Sequence, residues 1–223
     1  YIWNPTGKGV INKMKISCMK GKLMQGISNV SKAVSTKTTH PILSCIFIEA
    51  ENGNIKLTAN DMEIGIESYV EGTVIEEGKV AIEAKLLSDI VRKLPDSEIH
   101  METNEDFKTT IKCEKSLFTI AGKSGEDFSS LPVVEKSKFI TISQFTLREI
   151  INQTIFSISD SEYNNVMTGE LFEVSNNRLR VVAIDGHRIA IRNVELKNES
   201  EDVKVIVPGK ALSYISMIVS GGV

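Results

Sequence analysis

The sequence predicts an α+β fold in which one domain, built from two helices packed on antiparallel strands, occurs twice. Three features of each copy support this prediction: membership of a long repeat, a three-strand meander, and two stretches of helical periodicity. Residues 43–66 align without a gap on residues 167–190, a shift of 124 positions, and residues 85–90 match residues 210–215 at a shift of 125. Solenoid repeats are about 20–50 residues long, so a period of this length indicates two copies of a domain.

The meander of the second copy is organised around a hairpin at Asp185-Gly186. Apolar residues before and after this pair alternate with the period of two that is typical of strands. Asp-Gly favours a type I′ turn, because Gly adopts the positive φ that such a turn requires. Asn176-Asn177 predicts the preceding turn, and Asp61 is the equivalent of Asp185 in the first copy. The aspartate is therefore explained as a turn residue.

Residues 14–135 are predicted to form the first domain. Its first helix carries apolar residues at helical spacing, among them Leu23 and Ile27. Pro95 ends the second helix, because proline cannot continue one. The predicted elements are a strand at 14–19, a helix at 20–35, strands at 42–50, 54–60, 62–70 and 73–83, a helix at 84–94, and strands at 98–103, 107–114 and 116–123.

Residues 136–223 are predicted to form an incomplete second domain. Its elements are a strand at 139–143, a helix at 144–156, the meander at 166–194, a strand at 203–207 and a helix at 208–219. The first copy continues with further strands after its second helix, so we expect the second copy to be unfinished and the chain to be a fragment. Residues 1–13 have no counterpart in the second copy and are excluded from the fold as a leader or an added extension.

The composition, with 41% hydrophobic and 25% charged residues over 223 positions, is typical of a soluble globular protein. No apolar run approaches the roughly 20 residues that span a bilayer. Cys18, Cys45 and Cys113 are isolated and lack metal-ligand spacing, which favours a reducing cytoplasm. The net charge of −3 gives no sign of nucleic acid binding, although attraction also depends on where the charges lie.

Asp185, His187 and Arg188 suggest an enzymatic hypothesis in which the aspartate orients the histidine as a general base. No nucleophile motif such as GxSxG accompanies them. Exposed rim residues of a binding groove are the favoured interpretation of His187 and Arg188. The three histidines share no ligand spacing, so no metal site is predicted. Residues 122–127, GKSGED, lack the first glycine of a phosphate-binding loop, and no helical pattern follows them.

The predicted helices carry lysines and arginines on the face opposite their apolar stripe. A solvated helix face is the ordinary interpretation of such residues. In a repeat whose helices all lie on one side of the sheets, however, they would form a basic lining that contacts phosphates without reading bases. The residues are Lys20, Lys22, Lys32, Lys85, Arg92, Lys93, Arg148 and Lys210.

Seven motifs follow one another along the chain in a specific order. They are PILS (41–44), LTANDMEIGI (57–66), KLLSDIVRKLP (85–95), GEDFSSLP (125–132), GELFEV (169–174), VAIDGHRIAI (182–191) and VIVPGKAL (205–212). Together they resemble the bacterial DNA polymerase III β subunit, the sliding clamp, over residues 14–223. The resemblance implies three similar domains per chain, with helices inside and sheets outside, that pair head to tail as a ring around duplex DNA. The third domain is expected to be absent from this chain.

The resemblance also implies site residues. Lys37 takes the position of a DNA-contacting arginine, whereas the loop at 160–166, which contacts DNA in relatives, has no basic residue here. Phe118 and Ile120 match the edge that pairs with the partner protomer. A groove for the short clamp-binding peptides of polymerases and of the clamp loader is implied for Met167, Ile184, Gly186, His187, Arg188 and Ile189. The rest of its wall comes from later parts of the family's chain.

The leading hypothesis is therefore a DNA polymerase processivity factor, a cytoplasmic homodimer at full length that encircles duplex DNA and tethers the polymerase without cofactor or catalysis. Two alternatives stay open: a small hydrolase that uses Asp185 and His187, and a two-domain scaffold that binds proteins but not DNA. The salt dependence of DNA retention distinguishes the clamp from the scaffold.

Overall fold

The computed structural model describes residues 13–35, 38–126, 128, 131–132, 139–160, 166–197 and 200–219. Four features predicted from the sequence lie wholly or partly outside these residues: the leader at 1–13 except its last residue, Lys37, the interior of the loop at 160–166, and the domain boundary between 135 and 136. The chain divides into two compact units, residues 1–132 (unit 1) and residues 133–223 (unit 2).

Unit 1 has two antiparallel sheets, which share one core with two helices. Its elements are β1 Met14–Met19, α1 Lys20–Val30, β2 Cys45–Glu51, β3 Asn54–Asn60, β4 Gly65–Val70, β5 Gly72–Glu76, β6 Gly78–Glu83, α2 Ala84–Lys93, β7 Glu98–Thr103, β8 Lys108–Cys113 and β9 Ser116–Ala121. The sheet orders are β5-β1-β7-β8-β9 and β4-β3-β2-β6. The core includes Leu23 and Ile27 of α1, Leu87 of α2 and residues of both sheets, so the apolar stripes inferred from helical spacing do face inward.

Unit 2 has one antiparallel sheet and two helices among its described residues. Its elements are α3 Gln144–Thr154, a 3₁₀ turn at Ile155–Ser157, β10 Gly169–Ser175, β11 Arg178–Ile184, β12 Ile189–Glu195, β13 Val203–Pro208 and α4 Gly209–Ile218. The sheet order is β12-β11-β10-β13. Ile151 of α3, Phe172 of β10, Leu179 of β11 and Leu212 of α4 belong to one buried cluster, which places both helices on the same face of the sheet.

The repeat predicted from the sequence is confirmed in the structure. A shift of 124 residues carries the bounds of α1, β2 and β3 onto those of α3, β10 and β11, and carries the start of β4 onto the start of β12. A shift of 125 carries β6 onto β13 and α2 onto α4. The order of the four equivalent strands is the same in both units. The predicted α+β fold with a repeated domain is thus correct, and the one extra residue lies between β12 and β13.

The single strand predicted at 73–83 is wrong, because the chain changes sheets within it. β5 pairs with β1 in the five-stranded sheet, whereas β6 pairs with β2 in the other. Glu77 separates the two strands, and its side chain accepts the backbone N–H of Asn52 at 2.8 Å. At Gly78 a Cβ would overlap the carbonyl oxygen of Lys13, so any residue with a side chain would clash at this position. Apolar residues lie on both sides of this break, so the sequence pattern does not reveal it.

The strand predicted at 139–143 is also wrong. In unit 1 the equivalent β1 has partners on both sides, β5 and β7, whereas none of the described residues of unit 2 pairs with 139–143. Backbone polar groups of a strand need a hydrogen-bonding neighbour, so alternation alone does not make one. Ser143 instead caps α3, and its side-chain oxygen accepts the N–H of Thr146 at 3.0 Å.

The ends of several elements differ from the predicted ones. The first helix, predicted to reach residue 35, ends at Val30 and continues as a 3₁₀ turn at Ser31–Ala33. The strand predicted to start at residue 42 starts at Cys45, after a 3₁₀ turn at Pro41–Ser44. Proline at the first position of that turn lacks the N–H that a strand would need there.

The type I′ turn predicted at Asp185-Gly186 is wrong, because four residues, 185–188, join β11 to β12. Only Gly186 among them has a positive φ, of 90°. The two positive φ values that define type I′ occur at Asn176-Asn177, at 50° and 58°. The aspartate makes the longer loop favourable, because its side chain binds backbone N–H groups further along the chain.

Candidate functional site

A single carboxylate fixes the four-residue loop between β11 and β12. Asp185 Oδ1 accepts the backbone N–H groups of His187 at 2.9 Å and of Arg188 at 3.0 Å. Asp185 Oδ2 lies 2.7 Å from the Nε atom of Arg188. These hydrogen bonds, first among them that from the His187 N–H, hold the pKa of Asp185 below its ordinary value. The carboxylate is therefore a structural part of the loop.

The equivalent loop of unit 1 is built in the same way. Asp61 Oδ1 accepts the N–H groups of Glu63 at 3.0 Å and of Ile64 at 2.8 Å. The same hydrogen bonds occur in unit 1, where Glu63 is the equivalent of His187. The aspartate therefore stabilises the loop whether or not a histidine follows it. Both Asp185 and His187 are described, and no hydrogen bond joins their side chains. The geometry therefore does not resemble an Asp-His catalytic pair.

Arg188 also contacts an aromatic ring. Its Cζ atom lies 5.9 Å from the ring centroid of Phe156, within range of a cation–π contact. Phe156 belongs to the 3₁₀ turn after α3 and is 59% exposed. The guanidinium is thus held by Asp185 and Phe156 together. The sequence motifs did not single out Phe156, but the repeat carries a signal, because Phe156 replaces Lys32 of the first copy.

An apolar row crosses the outer face of the unit 2 sheet, opposite the face that packs on α3 and α4. Cross-strand pairing sets Ile191 beside Val182, Val182 beside Leu171, and Leu171 beside Ile206. These four residues, one from each strand, form what we call the apolar row. Ile206 is 42% exposed and Ile191 is 46% exposed. Exposed apolar patches on a sheet face mark interaction sites more often than scattered apolar residues do.

Five of the six predicted groove residues lie within one short stretch, 184–189, at the end of this face. Ile184 ends β11 and pairs with Ile189 at the start of β12, and both side chains are exposed. The loop residues Gly186, His187 and Arg188 are also exposed. The structure therefore places two branched apolar side chains beside a loop that presents an imidazole and a guanidinium.

Met167, the sixth predicted groove residue, lies just before β10 and is half-buried. Its carbonyl oxygen accepts the backbone N–H of Ser159 at 2.8 Å. This bond ties the residues before β10 to those that follow the 3₁₀ turn of Phe156. Below, "the groove" means Met167 with Ile184, Gly186, His187, Arg188 and Ile189, and Phe156 lies beside it.

The same face of unit 1 differs in composition and in cover. The residues equivalent to the apolar row are Glu67, Thr58, Phe47 and Ala81. Phe128 stacks on Phe47 with ring centroids 4.9 Å apart, and Leu131 occupies the space that a Cβ on Gly65 would need. In unit 2 the position of Gly65 is taken by Ile189. The chain covers this face in unit 1, whereas the described part of unit 2 leaves it open.

A carboxyl group is buried on the opposite, inner face of the unit 2 sheet. Glu170 is 0% exposed, and strand alternation points its side chain to the same side as Phe172. Thr154 Oγ1 lies 3.0 Å from each carboxyl oxygen of Glu170. Burial raises the pKa of Glu170 to about 7, and the hydrogen bond from Thr154 opposes this change. The sequence motifs did not single out Glu170, although its inward position in β10 was readable from the period of two.

Four of the predicted DNA-contacting cations bind neighbouring groups. Lys22 Nζ lies 2.9 Å from a carboxylate oxygen of Glu71, and the Arg92 guanidinium lies 2.6 Å from Asp89 Oδ1. Lys20 Nζ donates to the carbonyl oxygen of Leu94 at 2.6 Å, which ties α1 to the end of α2. Lys32 Nζ donates to the carbonyl oxygen of Ser28 at 2.8 Å, within its own helix. These four cations are therefore only partly available to an external anion.

The other predicted cations at described positions lie on α2, α3 and α4. Lys85, Lys93, Arg148 and Lys210 are exposed on α2, α3 and α4. Within the described residues, no ion pair involves Lys85, Lys93 or Arg148. Lys37 lies outside the described residues.

The two predicted residues of the dimer edge have different environments. Both lie on β9, which ends the five-stranded sheet and pairs with β8. Phe118 is 39% exposed, whereas Ile120 is 8% exposed and belongs to the core of unit 1. Phe118 can therefore offer its side chain to a neighbour, while Ile120 can contribute only the backbone of the strand edge.

The described residues also include metal-ligating residue types and three cysteines. No group of three or more His, Cys, Asp or Glu side chains among them could hold a metal ion. Cys18, Cys45 and Cys113 are buried, and burial raises their thiol pKa values, that of Cys18 to about 12. None of the helices in this part of the chain has the length and apolar character of a membrane span.

Comparison with known proteins gives one consistent result. Residues 14–132 match the N-terminal domain of the DNA polymerase III beta subunit, and residues 141–222 match its central domain. The beta sliding clamp of Halalkalibacterium halodurans is 36% identical over 206 residues, which are 87% of this chain and 54% of that protein.

Solved structures agree in fold. A DNA polymerase III beta subunit from Eubacterium rectale superposes with a TM-score of 0.90 at 56% identity, covering 94% of this chain and 57% of that one. A sliding clamp from Pseudomonas aeruginosa, solved bound to griselimycin, superposes with a TM-score of 0.85 at 28% identity, covering 93% and 57%. The chain thus spans little more than half the length of these relatives.

Proposed function

Because the chain belongs to the DNA polymerase III beta subunit family, we propose that it is part of a sliding clamp, a ring that encircles duplex DNA and tethers the replicative polymerase. The observation that carries the proposal is the coincidence of the two family domains with two copies of one folded unit. The activity, partners and assembly of the whole protein are proposed on this basis, since its relatives are longer.

The proposed mechanism is topological. A ring holds DNA without making or breaking a covalent bond, so it needs neither catalytic residues nor a cofactor. Exposed cations on the helices, among them Lys85, Lys93 and Arg148, attract phosphates without reading bases. The net charge of −3 keeps the overall attraction weak, which favours sliding over tight binding.

The groove is the proposed docking site for short peptides of the polymerase and the clamp loader. Ile184 and Ile189 offer apolar contacts, and Arg188, held by Asp185 and Phe156, offers a fixed cation at the rim. Pre-ordering of the guanidinium lowers the entropy that a ligand must remove on binding. Griselimycin, which the Pseudomonas aeruginosa clamp binds, is the proposed probe for this groove.

The proposed assembly is a head-to-tail homodimer in the cytoplasm at full length. The outer edge of β9, which pairs with no other strand of the described residues, supports one half of such an interface together with the exposed Phe118 side chain. Strand edges present unpaired N–H and C=O groups, so pairing with a partner strand is the natural way to satisfy them.

Retention on DNA circles tests the clamp. The protein at the full length of its family is loaded onto nicked circular DNA and onto the same DNA linearised, and the protein that co-elutes with each is measured. We expect retention on circles and rapid loss from linear DNA. Equal retention on both would show that simple binding, not encirclement, holds the protein.

The scaffold hypothesis is the second candidate, because the exposed apolar row on unit 2 suits protein binding whether or not DNA is bound. A scaffold would not be retained on circular DNA at any salt concentration. The hydrolase hypothesis has less support, because Asp185 is occupied by the backbone of its own loop. Hydrolysis by the wild-type chain that an Asp185→Asn variant abolished would restore it.

A further inference from the structure

Three buried positions of unit 2 are polar where unit 1 is apolar. The residues of unit 2 are Thr154, Ser157 and Glu170. Their equivalents 124 positions earlier are Val30, Ala33 and Ile46, which are all fully buried. Buried polar groups destabilise a fold unless they are hydrogen-bonded. The same fold is thus built without these groups in unit 1, so their presence in unit 2 is not a requirement of the fold.

The hydrogen bonds of Thr154 depend on the protonation state of Glu170. Thr154 Oγ1 lies 2.8 Å from the carbonyl oxygen of Ile150 and 3.0 Å from each Glu170 oxygen. A hydroxyl has one proton to donate. If it donates to Ile150, Glu170 can bond to Thr154 only by donating its own proton, as a neutral acid. An ionised Glu170 can only accept a hydrogen bond from Thr154, and the carbonyl of Ile150 then loses its extra bond.

The pair Thr154 and Glu170 joins the two segments that supply the groove. Thr154 lies two residues before Phe156, whose ring contacts Arg188. Glu170 lies three residues after Met167. Within the described residues the hydroxyl of Ser157 has no hydrogen-bond partner, so the side-chain link beside the 3₁₀ turn is that from Thr154 to Glu170.

We propose that Glu170 is a positioning residue for the groove. As a neutral acid it donates to Thr154, which then keeps its bond to Ile150 at the end of α3, next to the 3₁₀ turn of Phe156. As an anion it draws the hydroxyl of Thr154 away from Ile150 and places a charge in a buried site, so the end of α3 and the turn loosen. This inference rests on the proposed peptide groove. Its consequence is that the groove takes its binding-competent form at lower pH and loses affinity as pH rises. The groove would then respond to pH through a residue that does not touch the ligand.

The surroundings of Glu170 contain no charge that would offset this effect. From α3 the polar group that contacts Glu170 is the hydroxyl of Thr154, and on β13 the residue paired with Glu170 is Val207. Burial is the cause that raises the pKa of Glu170 to about 7, and no charged side chain contributes. The groove itself contains one histidine, His187, which is replaced in the test below.

The test compares pH profiles in a background that removes the imidazole. Two proteins are titrated with fluorescently labelled griselimycin between pH 5.5 and 8.5, a range that covers the values around 7. One carries His187→Gln alone, and the other carries His187→Gln together with Glu170→Gln. Glutamine keeps a donor for Thr154 and cannot ionise. A fold-preserving control adds Thr154→Val and Glu170→Ile, the residues that unit 1 uses, to the same background. Methyl NMR spectra of Ile184, Ile189 and Met167 are recorded over the same pH range without the probe.

With Glu170 present, we expect affinity to fall about three- to tenfold across this range, because one pKa unit corresponds to a tenfold difference between protonation states. The methyl resonances should titrate with a midpoint near 7. Both changes should vanish in the protein that carries Glu170→Gln and in the protein that carries the apolar pair. Binding with the same pH profile in all three proteins would overturn the inference.

The two proposals can fail separately. If the probe does not bind any of the proteins, the peptide groove is wrong, and the role of Glu170 is judged from the methyl spectra alone. Resonances that do not titrate, or that titrate equally in the Glu170→Gln variant, would refute the positioning role whatever the probe does.

Discussion

Met62 and Gly186 occupy the same position in the two equivalent turns, and both have a positive φ, of 74° and 90°. Glycine adopts this region at no steric penalty, whereas a residue with a Cβ is destabilised there by roughly 1–2 kcal/mol. Met62 is 69% exposed, so its side chain gains little packing energy in return. Unit 1 therefore holds a strained residue at the position where unit 2 holds glycine.

We expect Met62→Gly to raise the free energy of unfolding by about 0.5–1 kcal/mol, the relief of strain less the greater freedom of glycine in the unfolded chain. Urea denaturation measures the change. Gly186→Ala is the matched control and should lower stability by a similar amount, since no atom lies within 4 Å of the added Cβ to cause a clash. Stabilisation of the fold by Gly186→Ala would contradict the strain argument.

The buried acid predicts that stability depends on pH. The pKa of Glu170 is raised in the folded chain from 4.5 to about 7, so the folded state binds the proton more tightly than the unfolded state. The stabilisation that Glu170 gains from this tighter proton binding is fully present below its pKa in the unfolded chain. It is lost as pH rises through about 7. From pH 4 to pH 8 we expect the wild type to lose up to about 3 kcal/mol relative to Glu170→Gln.

Urea titrations at several pH values measure this loss as the difference between the two proteins. Taking the difference cancels the titration of all other groups, provided that the two proteins unfold with the same denaturant slope. The stability difference between Glu170→Gln and the double variant Thr154→Val with Glu170→Ile should not change with pH, because neither protein has an ionisable group at position 170. If the wild type instead lost stability relative to Glu170→Gln as pH falls, the sign would be wrong, and a neutral buried Glu170 would be excluded.

Local sequence signals and the repeat predicted most of the fold. The bounds of β3 and β7 agree with the predicted strands, because turn residues mark their ends. The split at Glu77 could not be read from the sequence, since it depends on which sheet each half joins. Phe156 and Glu170 were missed for a different reason: each fits its own helix or strand pattern and is unusual only beside its equivalent in the other copy, Lys32 and Ile46.

Among the proposed sites, the groove draws the most residues from one short stretch of sequence. Five of its residues lie within six consecutive positions, 184–189. A hairpin therefore brings them together whatever the tertiary fold. The role of Arg188 depends instead on Phe156, a contact between residues that are 32 positions apart. Likewise, burial of Ile120 depends on packing within unit 1, which strand alternation alone did not distinguish from exposure at an edge.

The rim of the groove makes a direct prediction about binding. His187→Ala combined with Arg188→Ala should weaken labelled griselimycin binding at least about tenfold, since an interaction of about 1.4 kcal/mol corresponds to that factor. The loop should keep its fold, because Asp185 Oδ1 accepts backbone N–H groups that the substitutions retain. Fluorescence titration gives the affinity, and circular dichroism checks the fold.

The matched control for the groove is the equivalent loop of unit 1. Glu63 is the equivalent of His187 in the repeat. Glu63→Ala should therefore leave the affinity for griselimycin unchanged. Ile189→Asp, which places a charge among the exposed apolar side chains, should abolish binding. Undiminished affinity in the double alanine variant would remove His187 and Arg188 from the site.

The exposed cations on the helices predict a charge-specific effect on DNA retention. Lys85→Glu, Lys93→Glu and Arg148→Glu together change three exposed positions on α2 and α3, whereas Lys108→Glu, Lys112→Glu and Lys115→Glu make the same change of net charge on β8 and its following turn. At full family length, the helix variant should be lost from circular DNA at lower salt than the wild type, because each lost phosphate contact weakens the electrostatic attraction. The sheet variant should behave nearly as the wild type does. Co-elution with nicked circles over a range of salt concentrations measures both, and equal losses in the two variants would show that net charge, not a basic lining, governs retention.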